Sequence, residues 1–139
     1  MTYLLDTNVV SELRKASVKA HPNVVRWKLS VDASVLYLSA ITVHELELGI
    51  LLLARRDAVG GDSLRDWLQN QILISYAGRI IPVDSAIAQQ SAALHVPRSR
   101  PWADALIAAT ALVHGLIVVT RNVGDFESTG VKVLNPWLQ

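Results

Sequence analysis

Short apolar runs alternate with segments of helical period along the whole chain, and no other feature constrains the fold as much. Two strands separated by a helix-length segment cannot close as a tight hairpin. They need a crossover, which sets the strands parallel and lays the helices on the faces of the sheet. Residues 1–5 read as a short buried strand and 8–13 as the turn of helix after it. A helix is expected over 23–31, a second strand over 35–39, and then an amphipathic helix in which Leu46, Gly49, Ile50 and Leu53 keep the i, i+3, i+4, i+7 spacing, ending near Arg55 and Arg56. Gly60-Gly61 reads as the clearest loop, with Asp62 or Ser63 capping a helix that carries Leu64, Trp67, Leu68 and Ile72 on one side. Residues 79–83 read as a third strand, with Pro82 marking an irregular or edge position, and 85–94 as a helix. Pro101 suits the first turn of a helix running to Val113, and Gly115 suits its end. A fourth strand over 117–120 and a fifth over 131–134 complete a small α/β domain with a mainly parallel sheet of four to five strands.

At 139 residues the chain is long enough for one domain with its own core and too short for two, so a single domain over 1–139 is expected. Apolar residues are 51% of the chain against 18% charged, which excludes disorder and leaves apolar surface for a partner; a homodimer is expected. The longest apolar stretches, 50–54 and 105–113, are far shorter than the roughly 20 residues a bilayer requires, and no basic segment precedes a signal-like run. A cytoplasmic protein without a membrane partner is expected. With no cysteine, disulfides, thiolate metal sites and a cysteine nucleophile are excluded, so any metal must be held by oxygen or imidazole. The net charge of +1 does not decide for or against nucleic acid, because phosphate binding depends on a local basic patch.

Acids recur beyond the strand-like runs: Asp6 after 3–5, Glu45 after 35–39 and Asp125 after 117–120, while Asp104 opens a long apolar helix. In an open parallel sheet the C-terminal strand ends form one edge, where ligands bind. Each acid also has a local structural role available. Asp6 suits a helix N-cap. Thr42-Val43-His44-Glu45 fits a capping box, and Glu47 lies about 200° round the helix from Glu45, so only one of them faces the crevice squarely. Asp104 suits a helix first turn, yet a carboxylate among Ala103, Ala105, Leu106 and Ile107 is costly unless paired, hydrogen-bonded or coordinated. Asn122 and Asp125 suit a turn, and Asp84 a helix cap.

If Asp6, Glu45, Asp104 and Asp125 converge, they repel one another and some of their pKa values rise. A hard divalent cation removes that cost, and an all-oxygen set without cysteine suits Mg²⁺, with Mn²⁺ as a substitute, and so phosphate chemistry. His21, His44, His95 and His114 have no metal spacing and read as surface or satisfied core residues. There is no Gly-rich phosphate loop.

Four ordered segments, 4–10 (LLDTNVV), 38–46 (LSAITVHEL), 104–111 (DALIAATA) and 119–126 (VTRNVGDF), resemble the PIN-domain ribonucleases, and within them the VapC toxins of type II toxin-antitoxin systems in their FitB-like branch. The ending Asn135-Pro136-Trp137 also suits that branch. The resemblance implies a three-layer α/β/α fold and Mg²⁺-dependent endoribonuclease activity by metal-activated water. It further implies a VapB-type antitoxin that inhibits the toxin and carries the complex to promoter DNA. By motif, Asp6 and Asp104 are the implied main metal ligands, Glu45 completes the acidic triad, and Thr7, Asn8 and Thr120 orient this shell. The fourth acidic position is open between Asn122, where some relatives carry an acid, and Asp125. Arg121 is a candidate RNA contact; Arg14, Lys15, Arg98 and Arg100 read as solvated surface able to touch an RNA backbone. Two other readings stay open: a non-catalytic RNA-binding or regulatory module, and a metal-dependent nuclease acting in RNA processing or on DNA.

Overall fold

The structure, a computed structural model, describes residues 1–16 and 18–139. Its centre is a five-stranded parallel sheet built from β1 (Tyr3–Leu5), β2 (Leu36–Ser39), β3 (Ile80–Ile81), β4 (Ile117–Val119) and β5 (Val133–Leu134), in the order β3-β2-β1-β4-β5. Helices α1 (Thr7–Arg14), α2 (Pro22–Ser30) and α3 (Ala40–Ala54) follow β1 and β2. Next come α4 (Ala58–Trp67), a π-helical turn (Leu68–Ile72) and the short α5 (Leu73–Ser75); α6 (Ser85–Leu94) and α7 (Trp102–His114) lie between β3 and β4. The expected α/β/α architecture is therefore present, with β3 at the sheet edge as Pro82 suggested.

Alternation along the strands builds the layers. Leu4 and Val118 point into a core with Ile87, Ile107 and Phe126, whereas their neighbours Leu5 and Val119 point into the opposite core with Val9, Trp27, Leu46 and Leu68. Leu4, Leu5, Val118 and Val119 have no solvent exposure, so each face of the central strands is fully covered. Burying a Val or Leu side chain completely is worth roughly 1.5–3 kcal/mol, and this two-sided burial holds the short strands in register.

Two local expectations are corrected. Gly60 and Gly61 are not a loop but lie inside α4, whose N-cap is Asp57 rather than Asp62 or Ser63: Asp57 Oδ1 accepts from Gly60 N at 2.9 Å. Gly61 lets α4 pack onto α3, because a Cβ there would sit 2.8 Å from Ala54 Cβ. The second correction concerns α3, which is apolar on most sides rather than amphipathic: Leu46 and Ile50 are buried while Leu48, Leu51 and Leu52 are about half exposed.

Helix ends follow the expected chemistry elsewhere. Asp84 Oδ1 accepts from Ile87 N at 2.9 Å to start α6, and Gly115 closes α7 at φ 68°, a left-handed conformation suited to glycine.

No helix among the described residues is long and apolar enough to cross a membrane.

Candidate active site

The chain order through the sheet creates the site. From β1 the chain builds outward through β2 to β3, then returns to the other side of β1 as β4. The segments leaving β1 and β4 therefore diverge at their C-terminal ends and open a crevice. Asp6 stands at the end of β1, Thr120 at the end of β4, Glu45 on α3 and Asp104 in the first turn of α7.

Asp6 is buried and serves both roles considered for it. Its Oδ1 accepts from Thr7 N at 2.8 Å, capping α1, while its Oδ2 accepts from Thr120 Oγ1 at 2.8 Å and from Asn8 Nδ2 at 3.4 Å. Thr120 Oγ1 also accepts from Asn8 Nδ2 at 3.2 Å and from Asn122 N at 3.0 Å, so its one proton is committed to Asp6. Burial raises the Asp6 pKa above its ordinary value, the Thr120 and Thr7 hydrogen bonds pull it back, and the charges of Glu45 and Asp125 push it up.

Glu45 does not form the capping box. Ser39 caps α3, its Oγ accepting from Ile41 N at 3.0 Å, and Thr42 is buried within the first turn. Glu45 Oε1 instead accepts from Thr7 Oγ1 at 2.6 Å, and Thr42 Oγ1 lies 3.2 Å from the same hydroxyl. Residues two apart on a helix point in nearly opposite directions. Glu47 accordingly pairs with Arg65 of α4, away from the crevice. Thr42 is a site neighbour that the capping pattern concealed, since its second partner lies 35 residues away in sequence.

Asp104 is half-buried, and its pKa is pushed up to about 6: burial is the first cause, followed by the charges of Asp125, Asp6 and Glu45. Those charges also distinguish the two candidates for the fourth position. Asp125, in the 3-10 turn Val123–Phe126, is the strongest charged neighbour of Asp104 and also acts on Asp6. Asn122 contributes its backbone N–H to Thr120, and its side chain is exposed. Arg121 is exposed beside this cluster, but its guanidinium lies 5.4 Å from the Trp137 ring centroid, a cation–π contact. The ion pairs among the described residues, Lys15–Glu12 and Arg65–Glu47, lie elsewhere.

The donor set is therefore hard oxygen, and no ion pair among the described residues neutralises it. Among the described residues no three such groups stand close enough together to chelate one ion. Mg²⁺ needs no such cage, because it keeps several waters and is ordinarily held by one or two carboxylates. The arrangement fits a partly hydrated hard cation in kind and charge.

Fold and site together define a class. The chain belongs to the PIN-domain family, whose sequence model matches residues 3–132. Its relatives place it more narrowly, among toxins of the FitB and VapC type. It is 42% identical over 141 residues to Toxin FitB of Neisseria gonorrhoeae, an alignment spanning 96% of this chain and 97% of that one. It is 36% identical over 141 residues to VapC ribonuclease Y4jK of Sinorhizobium fredii, spanning 96% of each. The crystal structure of FitAcB from Neisseria gonorrhoeae matches with a TM-score of 0.89 at 39% identity, covering 99% of this chain and 100% of that one.

Proposed function

We propose that this chain is the toxin of a type II toxin-antitoxin pair, an Mg²⁺-dependent endoribonuclease held inactive by a cognate VapB-type antitoxin. The observation that carries the reading is that Thr7 joins Asp6 and Glu45 at one edge of the sheet, its N–H on the first and its hydroxyl on the second, with no ion pair among the described residues to offset them; the raised pKa values of Asp6 and Asp104 accord with it. The names of the relatives, toxin and ribonuclease, support it.

Asp6 and Asp104 are the proposed principal Mg²⁺ ligands, with Glu45 as the third acid and Asp125, rather than Asn122, as the fourth. Mn²⁺ is the expected substitute. When bound, the ion supplies Lewis-acid neutralisation of phosphodiester charge and activation of water. The chain's own residues do the positioning. Thr120 and Asn8 fix the Asp6 carboxylate from one side and Thr7 N from the other, and the Thr7 hydroxyl holds Glu45. Arg121, held over Trp137, offers positive charge to the RNA strand without quenching the acids.

The antitoxin reading is supported by exposed apolar side chains on α3 and α4, Leu48, Leu51, Leu52 and Val59, and by a groove of about 440 Å³ running from Thr7 and Glu45 to Trp67. The same surface suits a homodimer, and promoter DNA is reached only through the antitoxin complex. A cytoplasmic location follows from an RNA target.

The test is RNA cleavage by the purified chain in Mg²⁺, in Mn²⁺ and in EDTA. Asp6→Asn and Asp104→Asn should each lower the rate by about a hundredfold or more. Cleavage unchanged in both variants, or undiminished in EDTA, sinks the proposal.

A further inference from the structure

We infer that the rim of the acidic site beside α3 and α7 holds one unpaired nucleotide of single-stranded RNA, its base stacked on Trp102 and its phosphate held by Arg98 and Arg100. This rests on the nuclease reading above and assigns the substrate a place next to the acids. Trp102 is 53% exposed, unusual for a side chain that is highly buried on average. Its ring meets that of His44 edge to face, centroids 5.7 Å apart at 80°. His44 immediately precedes Glu45 on α3, and Trp102 shares the first turn of α7 with Asp104. The aromatic pair thus bridges the two helices that deliver those acids. Edge-to-face packing fixes the rings and leaves aromatic face open for a further stacked ring.

The positive charge stands next to this platform in the chain. Arg98, Arg100 and Pro101 line a cavity of about 300 Å³ whose other wall is Gly124, Asp125 and Glu127. Arg100 is braced by two carbonyls: its Nε donates to Leu94 O at 2.8 Å and its Nη1 to Glu127 O at 3.0 Å. Carbonyl partners orient a guanidinium without neutralising it. Neither Arg98 nor Arg100 belongs to the ion pairs among the described residues, so no salt bridge ties up either charge beside the cavity. An open aromatic face beside two free cations suits a base and its phosphate. A duplex hides its base faces, so the fit is to a single strand. Asp125 and Glu127 on the far wall weaken the hold on phosphate without abolishing it, so a cation at the acidic site should tighten binding at this rim.

Fluorescence anisotropy of a short labelled single-stranded RNA with the full chain reads this directly, in EDTA so that no turnover is needed and again with Mg²⁺. Trp102→Ala should weaken binding about tenfold, Trp102→Phe less than about threefold, and neither should alter binding of a matched RNA duplex. Arg98→Ala with Arg100→Ala should weaken binding and flatten its salt dependence. The inference is overturned if the wild-type chain does not bind the single strand, if Trp102→Ala binds it as wild type does, or if Trp102→Ala loses as much on duplex as on single strand. An unchanged Trp102→Ala affinity for RNA is also the result expected if this rim instead docks an apolar protein segment. In the cleavage assay Trp102→Ala should raise KM and leave kcat unchanged. A wild-type chain that binds RNA in this manner but never cleaves it would refute the nuclease reading and leave the nucleotide site standing.

Discussion

Replacing Asp104 by Asn should make the metal-free protein more stable at neutral pH while destroying its activity. The pKa of Asp104 rises from an ordinary 3.8 to about 6 in the folded chain. Between those values the folded state holds a proton that the unfolded state has already released. Stability therefore falls as pH rises from about 4 to about 6, and stays reduced above that. Two pKa units correspond to about 3 kcal/mol at 1.36 kcal/mol each, and solvent screening at this half-buried position brings the expected figure to about 1–1.5 kcal/mol. Asn keeps the shape and removes the charge. Urea or thermal unfolding in EDTA should show Asp104→Asn more stable than wild type by about 1 kcal/mol near pH 7.5, about 3–5 °C in Tm, and equal to it near pH 4. Added Mg²⁺ should reverse the order, stabilising wild type by mass action and the variant much less. Asp6→Asn should gain less, since an amide whose oxygen faces Thr120 and Asn8 puts an NH₂ group where Oδ1 accepts from Thr7 N. If Asp104→Asn is destabilised by the same amount at both pH values, or if Mg²⁺ stabilises both proteins equally, the burial of this charge among neighbouring acids is not what the site stores.

Thr120→Val keeps volume but removes the 2.8 Å donor to buried Asp6; unfolding measured near neutral pH should show a loss of about 1–3 kcal/mol, and an unchanged midpoint would mean that this hydrogen bond does not hold the carboxylate. Gly61→Val places a side chain where even a Cβ falls 2.8 Å from Ala54 Cβ and 2.9 Å from Ala54 Cα, so denaturant midpoints should drop by an amount matching about 1–3 kcal/mol, whereas an unchanged midpoint would mean that α3 and α4 separate freely.

Much of this was readable in the chain because strands and their following helices are local patterns. The run Tyr3–Leu5 ends in Asp6 whatever the rest of the molecule does, and Ser85–Leu94 was legible to the residue from Asp84 and its apolar period. What was hidden depended on distant partners. Gly60-Gly61 has a loop's composition, and only the close approach of Ala54 makes glycine a helix-packing residue there. Thr42 and Glu45 have a capping box's spacing, and only Thr7, 38 residues from Glu45, draws that carboxylate outward. Asn122 and Asp125 stand close together in sequence, and spacing alone does not show that the 3-10 turn brings the charge of Asp125 to bear on Asp104.

The acids of this chain have three kinds of partner. Glu12 pairs with Lys15 and Glu47 with Arg65, while Asp57 and Asp84 accept from the backbone of the helices they cap. Asp6 and Glu45 are answered by hydroxyls and amides: Thr120, Asn8 and the backbone of Thr7 for the first, the Thr7 side chain for the second. Neutral donors fix the direction of a carboxylate yet leave its charge in place, whereas a lysine or arginine would cancel it. Arg121, the residue after Thr120, is drawn to the face of Trp137 and donates through its backbone to Asn8 Oδ1 at 3.4 Å. The result is an edge of the sheet where Asp6 and Glu45 are held in place by neutral donors and no ion pair among the described residues offsets their charge. Under the proposed nuclease reading, that uncompensated charge is what a cation from solution would offset.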